Sequence, residues 1–424
     1  MAPSTLAPPA PRCARSARRT RRLSWGLLLW YVLVALGAWE LGLRLSHLKQ
    51  RALAAGLEHP HFHHRLRPDA DYRFTTDEFD VTIHTNRFGL RGPTPVVPKP
   101  PGVIRIMMMG DSYIFGFPVK DDETASVLVE RALRAKGYPV EVVNVGVSGY
   151  SPTLQYVSLR DQFLDFQPDL VVLWYDLGDL TEDYTFQKNI LRDAQGGIAR
   201  IDPRYINGRY DWWEAAQRHS ALAKYLNNRL VRTWSKIRTL GLGGYLGVIL
   251  RGERAKVAIA RLKLEQGASD LPAYDKFVLV RPKATREQLE PLWQLSQRYL
   301  DMIRALLDER HIPLVMGIYP YGMLVGPGEW GDGRVYWGFA KGQVYSADTY
   351  VSLLRDYTSS RDVPFVNALD RFRRAVGPQP LFYNWDGHFT PAGQRVLAEA
   401  LTQDVGFLAV LDRLVAARAR ARRR

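Results

Sequence analysis

The chain of 424 residues contains one cysteine, Cys13. A single thiol excludes an intrachain disulfide framework and any cysteine-built metal site. Acidic residues are absent from both ends: residues 1–22 hold six arginines and no Asp or Glu, and residues 414–424 hold five arginines and no acid. The net charge of +15 therefore belongs mostly to the tails, leaving about +4 for the rest. No nucleic-acid-binding motif accompanies that charge, so a nucleic-acid partner is not expected. Internal repeats are also lacking. With 46% hydrophobic and 24% charged residues, the composition is not that of a disordered chain. It suits one large domain, or a domain carrying an insert.

What the chain does have is one long apolar run. Residues 23–43 read LSWGLLLWYVLVALGAWELGL, with Glu40 the only charge. The length fits one membrane-spanning helix, and Trp25, Trp30, Tyr31 and Trp39 are aromatic residues of the interfacial type. Glu40 lies near the end, where its side chain reaches the interface. The arginines from Arg12 to Arg22 precede the run, which predicts a cytoplasmic N-terminus and an exported (periplasmic or extracytoplasmic) domain after about residue 44. A cleaved signal peptide and a buried soluble helix are the alternatives. The run is long for a signal peptide and apolar all round, so an uncleaved, single-pass signal anchor is the reading taken.

The expected organisation is a cytoplasmic basic tail (1–22), the anchor (23–43), a connecting region (44–101), the core domain in two parts (102–186 and 284–411) around a mostly helical insert or cap (187–283), and a basic C-terminal tail (412–424). Alternation in DYRFTTDEFDVTIHTNRFGLRG predicts a hairpin within the connecting region, and prolines 93, 95, 98, 100 and 101 a stiff linker. VIRIMMM from Val103, VEVVNVG at 140–146, DLVVLWY at 169–175, IPLVMGIY at 312–319 and VPFVNAL at 363–369 read as strands. Helical patterns fall between them: near 124–136, 151–166, up to about Arg310 and 346–358, with a closing helix from Pro391 to about Leu411. Such alternation means parallel βα units and an α/β sandwich, with its active site at the C-terminal strand ends. The insert carries a helical stripe from Trp212 to Ile237 and the apolar, glycine-rich LGLGGYLGVIL at 240–250. It is read as packing surface, with a lid or membrane-contacting surface as the alternative.

The chemistry-bearing residues sit at those strand ends. Gly110-Asp111-Ser112 follows the first core strand; Gly110 suits a tight turn, and Ser112 would stand at the mouth of a helix, where backbone amides favour a developing anion. NVGVSG at 144–149 follows the second strand, and the amide of Gly149 is a candidate second donor for an oxyanion. Asp176, Asp179, Glu182 and Asp183 cluster after the third strand without metal-ligand spacing, so no metal is expected. Asp386 and His388 sit just before the closing helix, placed so that a histidine could act as base with the aspartate fixing its tautomer.

Together GDSYIFG, NVGVSG, LWYDLGD and DGHFTPAG resemble the four blocks of the SGNH, or GDSL-type, hydrolase family, over roughly residues 80–186 and 285–405. TNRFGLRG and GFPVKDDET are similar to segments of its membrane-anchored bacterial members. The resemblance implies a flavodoxin-like three-layer α/β/α sandwich. It implies Ser112 as nucleophile, His388 as base and Asp386 as its orienter, with the amides of Ser112 and Gly149 in the oxyanion hole and no cofactor. Two departures stand out. Gly178 occupies the place of the family's oxyanion-hole asparagine, a lost donor being worth about 3 kcal/mol of transition-state stabilisation; its backbone amide is the remaining candidate. Only Gly387 separates Asp386 from His388, a spacing also seen in relatives acting on exported polysaccharides.

The resulting expectation is a membrane-anchored esterase or deacylase acting on an acyl ester of an envelope glycan or lipid. The alternatives are an O-acyltransferase modifying an exported polysaccharide with the help of a membrane acyl-donor partner, and a catalytically weak binding or assembly protein that keeps the fold.

Overall fold

The structure, a computed structural model, describes residues 19–52, 56–207, 209–210, 216, 219–252, 254, 258, 275–282 and 284–422. A helix over Arg19–Ala52 is followed by β1 (Gly56–His59), β2 (His63–Leu66), β3 (Asp71–Thr75) and β4 (Asp80–His84). These pair antiparallel as β1–β2 and β3–β4, and β4 alternates, burying Val81 and Ile83 while Asp80, Thr82 and His84 face solvent.

The core strands are β5 (Ile104–Met109), β6 (Val140–Asn144) and β7 (Leu170–Tyr175). After them come the short strands β8 (Ile190–Arg192), β9 (Ile198–Ile201), β10 (Tyr205–Ile206) and β11 (Arg209–Tyr210), and then β12 (Leu314–Ile318) and β13 (Phe365–Asn367). The main sheet is parallel, ordered β13-β12-β7-β5-β6. β5, β7 and β12 are buried at every position, as their unbroken apolar runs require when helices cover both faces. The step from β5 to β6 runs one way and the step from β6 to β7 back past β5. Right-handed crossovers therefore put the Ala125–Ala135 helix on one face and the Pro152–Asp161 helix on the other. The first packs with Pro391–Thr402 and the second with Arg286–Asp308, completing a flavodoxin-like α/β/α sandwich. The reversal of strand order opens a crevice beyond the C-terminal ends of β5 and β7.

Three expectations change. The closing helix is two helices, Pro391–Thr402 and Val405–Arg422, because Asp404 accepts the Phe407 amide at 2.8 Å and starts a second helix. The expected C-terminal tail is, through Arg422, part of that second helix, and Arg418 binds Asp169 at 2.6 Å. The region 187–283 opens with a short 3-10 turn at Gln187–Asn189 and the two-stranded pairs β8–β9 and β10–β11, so its first part is not mostly helical; its longer described helices are Ala221–Leu226 and Arg232–Leu250. The stripe read from Trp212 starts outside the described residues, as do most of the N-terminal tail and Cys13.

At the middle of the sheet Trp174 on β7 lies beside Gly317 on β12. A Cβ on Gly317 would meet the fully buried indole ring at 2.6 Å. Neither rigid neighbour can yield, so Gly317→Ala should cost about 1–3 kcal/mol of stability through overpacking, read as a lower midpoint in chemical unfolding. An unchanged midpoint would mean that the sheet relaxes around the methyl group.

Candidate functional site

The turn after β5 is built around Asp111 and Gly110. A Cβ on Gly110 would meet the Ile114 side chain at 2.3 Å, so only glycine lets the chain turn into the short helix Ser112–Phe115. Asp111 caps that helix: its Oδ1 accepts the Tyr113 amide at 2.9 Å and the Tyr319 hydroxyl at 2.6 Å. The loop after β6 lies directly on this turn. A Cβ on Gly146 would meet the Phe115 nitrogen at 2.4 Å. Asn144 ties the two together, donating to the Ile114 carbonyl at 2.8 Å and accepting the Gly146 amide at 3.0 Å.

The Asp386-Gly387-His388 turn arrives from the other side. Ser112 Oγ lies 2.8 Å from His388 Nε2, and His388 Nδ1 lies 2.6 Å from Asp386 Oδ1. With the Nδ1 proton donated to Asp386, Nε2 is left as an acceptor for the serine hydroxyl. Burial pushes the Asp386 carboxyl up, but the hydrogen bonds and charge of His388, with the charge of Lys276, together outweigh this and hold it below the ordinary value. The imidazole packs against Tyr113 at 4.7 Å and Phe117 at 5.2 Å between ring centres. Tyr113 also donates to the Gly387 carbonyl at 2.9 Å, and Gln394 donates to the Tyr113 carbonyl at 3.1 Å. Ser112, His388 and Asp386 are all part-exposed, open to a ligand from the strand-end side.

The segment ahead of the core holds these turns in place, a role that sequence reading missed. Glu78, in the β3–β4 turn, accepts the amides of Trp385 and Asp386, each at 2.9 Å. Arg91, buried, donates to the carbonyls of Phe115 and Gly116 at 3.3 and 2.5 Å, to the Val119 carbonyl, and to Asp121 at 2.9 Å. It belongs to the TNRFGLRG segment, whose resemblance gave it no role. His64 Nε2 binds the Ser148 carbonyl at 2.7 Å. In a trans peptide the Gly149 N–H then points away from His64. Gly149 has φ +74°, a conformation open to glycine. Neither the Ser112 nor the Gly149 amide donates to another described residue.

Gly178 fails as a donor. Its N–H already gives a hydrogen bond to Asp176 Oδ1 at 2.6 Å, so neither a side chain nor a free amide is available there. Three side chains bound the space beside it. A Cβ on Gly178 would lie 2.8 Å from Asp176 Oδ1, 3.5 Å from Glu182 Oε1 and 3.5 Å from the Cβ of Lys276. The Lys276 ammonium is 5.0 Å from the Tyr321 ring centre and 5.2 Å from that of Phe277. It forms no ion pair or hydrogen bond among the described residues, yet it acts electrostatically on Asp111, Glu182 and Asp386. Nothing in the sequence around Lys276 signals this position, since it is reached only by the return of the chain from the insert.

Around it lies an acidic cluster in which Asp111, Asp176, Asp179 and Asp183 are buried and Glu182 is half-buried. Burial, with the charge of Asp176, raises Asp111 to about 6. Burial raises Glu182 to about 8 against the pull of Lys276. Burial raises Asp183 to about 6 even though Ser296 donates to it at 2.6 Å and Thr153 at 2.7 Å. Asp179 is also raised, by burial and by Asp176. Asp176 Oδ2 and Asp179 Oδ1 have no hydrogen-bond partner among the described residues. Among the described residues no group of His, Cys, Asp or Glu is arranged to hold a metal ion.

These shifts have a consequence for stability. Glu182 stays protonated in the folded state up to about pH 8, whereas in the unfolded chain it ionises near 4.5. The folded form therefore holds more protons across that window, and stability falls as pH rises through it. Histidines with lowered values, His64 and His59, act in the opposite sense only near and below their ordinary value of 6.5. Between pH 6.5 and 8.5 the melting temperature should fall by roughly 3 °C, and Glu182→Gln should flatten part of that slope. A melting temperature that is flat or rising over this range would contradict a protonated Glu182.

No protein-family model matches the chain, and no curated protein matches it. Solved structures similar in fold include a GDSL-like lipase from Bacteroides thetaiotaomicron, at 10% identity and a TM-score of 0.30 over 74% of this chain and 88% of that one. A catalytic mutant of an acetylxylan esterase from Geobacillus stearothermophilus matches at 12% identity and 0.35, over 72% and 94%. An acetyl xylan esterase matches at 11% identity and 0.35, over 71% and 100%. The likeness is one of fold alone.

Proposed function

We propose that the protein is an SGNH-type serine esterase or deacylase that cleaves an acyl ester through Ser112, His388 and Asp386. The observation that carries this reading is the unbroken chain Ser112 Oγ–His388 Nε2–His388 Nδ1–Asp386 Oδ1, at 2.8 and 2.6 Å. His388 takes the serine proton as Oγ adds to the ester carbonyl, and returns it to the departing alcohol. Water, deprotonated by the same imidazole, then releases the acid from the acyl-enzyme. Asp386 steadies the imidazolium formed in each half.

The tetrahedral oxyanion needs donors. The unengaged amides of Ser112 and Gly149 are two candidates, with the Ser148–Gly149 peptide fixed by His64. We assign the third contribution to the positive charge of Lys276, whose Cβ lies 3.5 Å from where a Cβ of Gly178 would stand and whose ammonium acts electrostatically on Asp111 and Asp386. The same charge counters Asp111 and Glu182, whose ionised forms would oppose an oxyanion.

The Trp25–Leu43 stretch is long and apolar enough to cross a membrane. We read it as a single-pass anchor with the arginine-rich N-terminus in the cytoplasm and the catalytic domain outside. An envelope glycan or lipid is then the substrate class within reach.

A fluorophosphonate probe and a short-chain acetyl ester test the reading. The full-length protein should be labelled, and Ser112→Ala and His388→Ala should each lose labelling and at least about 10³-fold in kcat/KM. Absence of Ser112-dependent labelling and hydrolysis would leave a binding protein. Transfer of the acyl group to added sugar in preference to water would make it a transferase.

Lys276→Met separates the charge contribution. It should lower kcat by about 10²–10³-fold with KM little changed and the melting temperature retained. An equal kcat in the variant would remove Lys276 from the oxyanion site.

A further inference from the structure

Among the described residues, the largest run of exposed apolar side chains outside the N-terminal helix lies on the helices of the insert. These are Ala221–Leu226, a π-turn at Asn227–Val231, and Arg232–Leu250, the last kinked at Gly241 with φ +71°. Leu230 (62% exposed), Trp234 (63%) and Leu250 (87%) stand out into solvent, as do Leu242, Leu246 and Ile249. An ordinary soluble surface does not gather large apolar side chains in this way.

The position of this surface relative to the N-terminal helix says what covers it. Glu40 accepts the Ser220 hydroxyl at 2.9 Å and the amides of Ala221 and Leu222 at 2.9 and 2.7 Å, capping the first insert helix. Trp39 packs edge-on against Tyr225, at 5.6 Å between ring centres. Glu40 is three residues before Leu43, the end of the apolar stretch. At 1.5 Å per residue, residues 220–222 thus lie within about 5 Å of the level at which that stretch ends. A bilayer that takes in Trp25–Leu43 must bring its surface to the start of the insert helices.

Charge points the same way. Residues 221–250 contain Lys224, Arg229, Arg232, Lys236 and Arg238 and no Asp or Glu. The guanidinium of Arg238 lies 5.6 Å from the Trp234 ring centre, so an anchor aromatic and a phosphate-binding cation are side by side. Beyond the Gly241 kink, residues 242–250 carry no charge at all. Cations followed by an apolar arm match an interfacial segment that meets headgroups first and acyl chains next.

We propose that residues 221–250 lie in the interface of the bilayer that the N-terminal helix crosses, with Trp234, Leu242, Leu246 and Leu250 among acyl chains and Arg229 and Arg238 at anionic lipid phosphates. The inference rests on the membrane reading of Trp25–Leu43. The insert is then a second membrane contact, which fixes the orientation of the domain on the bilayer rather than leaving it to swing on one helix.

Site-directed spin labelling of the full chain tests this. In a Cys13→Ser background, single cysteines are placed at Leu230, Leu242 and Leu246, with Val32 as the membrane reference and exposed Arg131 as the water reference. The protein is reconstituted in vesicles of phosphatidylcholine and phosphatidylglycerol at 3:1, and collisions with oxygen and with a nickel chelate are compared. Labels at 230, 242 and 246 should favour oxygen over nickel as Val32 does, by several-fold more than Arg131. Nickel access at these three sites equal to that of Arg131 overturns the proposal. If Val32 still favours oxygen, the interfacial contact alone has failed; if Val32 is also nickel-accessible, the membrane reading has failed with it. Protection from both reagents would mean a protein cover, such as a second copy of the chain, and would overturn the proposal equally.

Discussion

The site depends on side chains that hold backbone. Loops at the C-terminal end of a parallel sheet expose peptide groups with no partner in the ladder, and left alone they sample many conformations. Here Glu78 takes the amides of 385–386, Arg91 takes the carbonyls of 115, 116 and 119, and His64 takes the carbonyl of 148. Each contact falls on a different functional turn, and each comes from the stretch between the N-terminal helix and the first core strand. That stretch, which reads as a connector, acts as the brace of the catalytic face.

Charge is the second organising factor. Asp111, Asp176, Asp179, Glu182 and Asp183 crowd the ends of β5 and β7, a position where full ionisation would be costly. Burial raises Asp111, Asp179, Glu182 and Asp183 and holds Glu182 protonated near neutral pH, while tyrosine hydroxyls donate to Asp111 (from Tyr319) and Asp176 (from Tyr321). Lys276 is the positive group set against this cluster, with its Cβ beside Gly178. The departure at Gly178 and the presence of Lys276 are therefore parts of one arrangement in the proposed reading.

The sheet was legible because its strands are short, unbroken apolar runs separated by helices of the right length, and such runs have few other solutions in a chain of this size. Ser112, Asp386 and His388 were legible because motif and strand-end position coincide, and the folded chain places them within hydrogen-bonding distance. Glu78, His64 and Lys276 were not. Their roles come from tertiary neighbours far away in sequence, and a glutamate in a hairpin turn looks like any solvated acid. The closing helix was misjudged for a local reason: Asp404 competes for the Phe407 amide, a choice that apolar periodicity does not encode. The amide of Gly178 was misjudged because only the folded turn shows it spent on Asp176.

The bond from Glu78 to the amide of Asp386 spans 308 residues, and that from Ser112 to His388 spans 276. Contacts so distant in sequence form late, since the loop between their ends must first be closed. A chain emerging from a ribosome or a translocation channel thus carries its serine for most of its synthesis without a base beside it. In the proposed reading, the Ser112–His388–Asp386 arrangement is complete only once the segment carrying residues 386–388 has docked on the sheet.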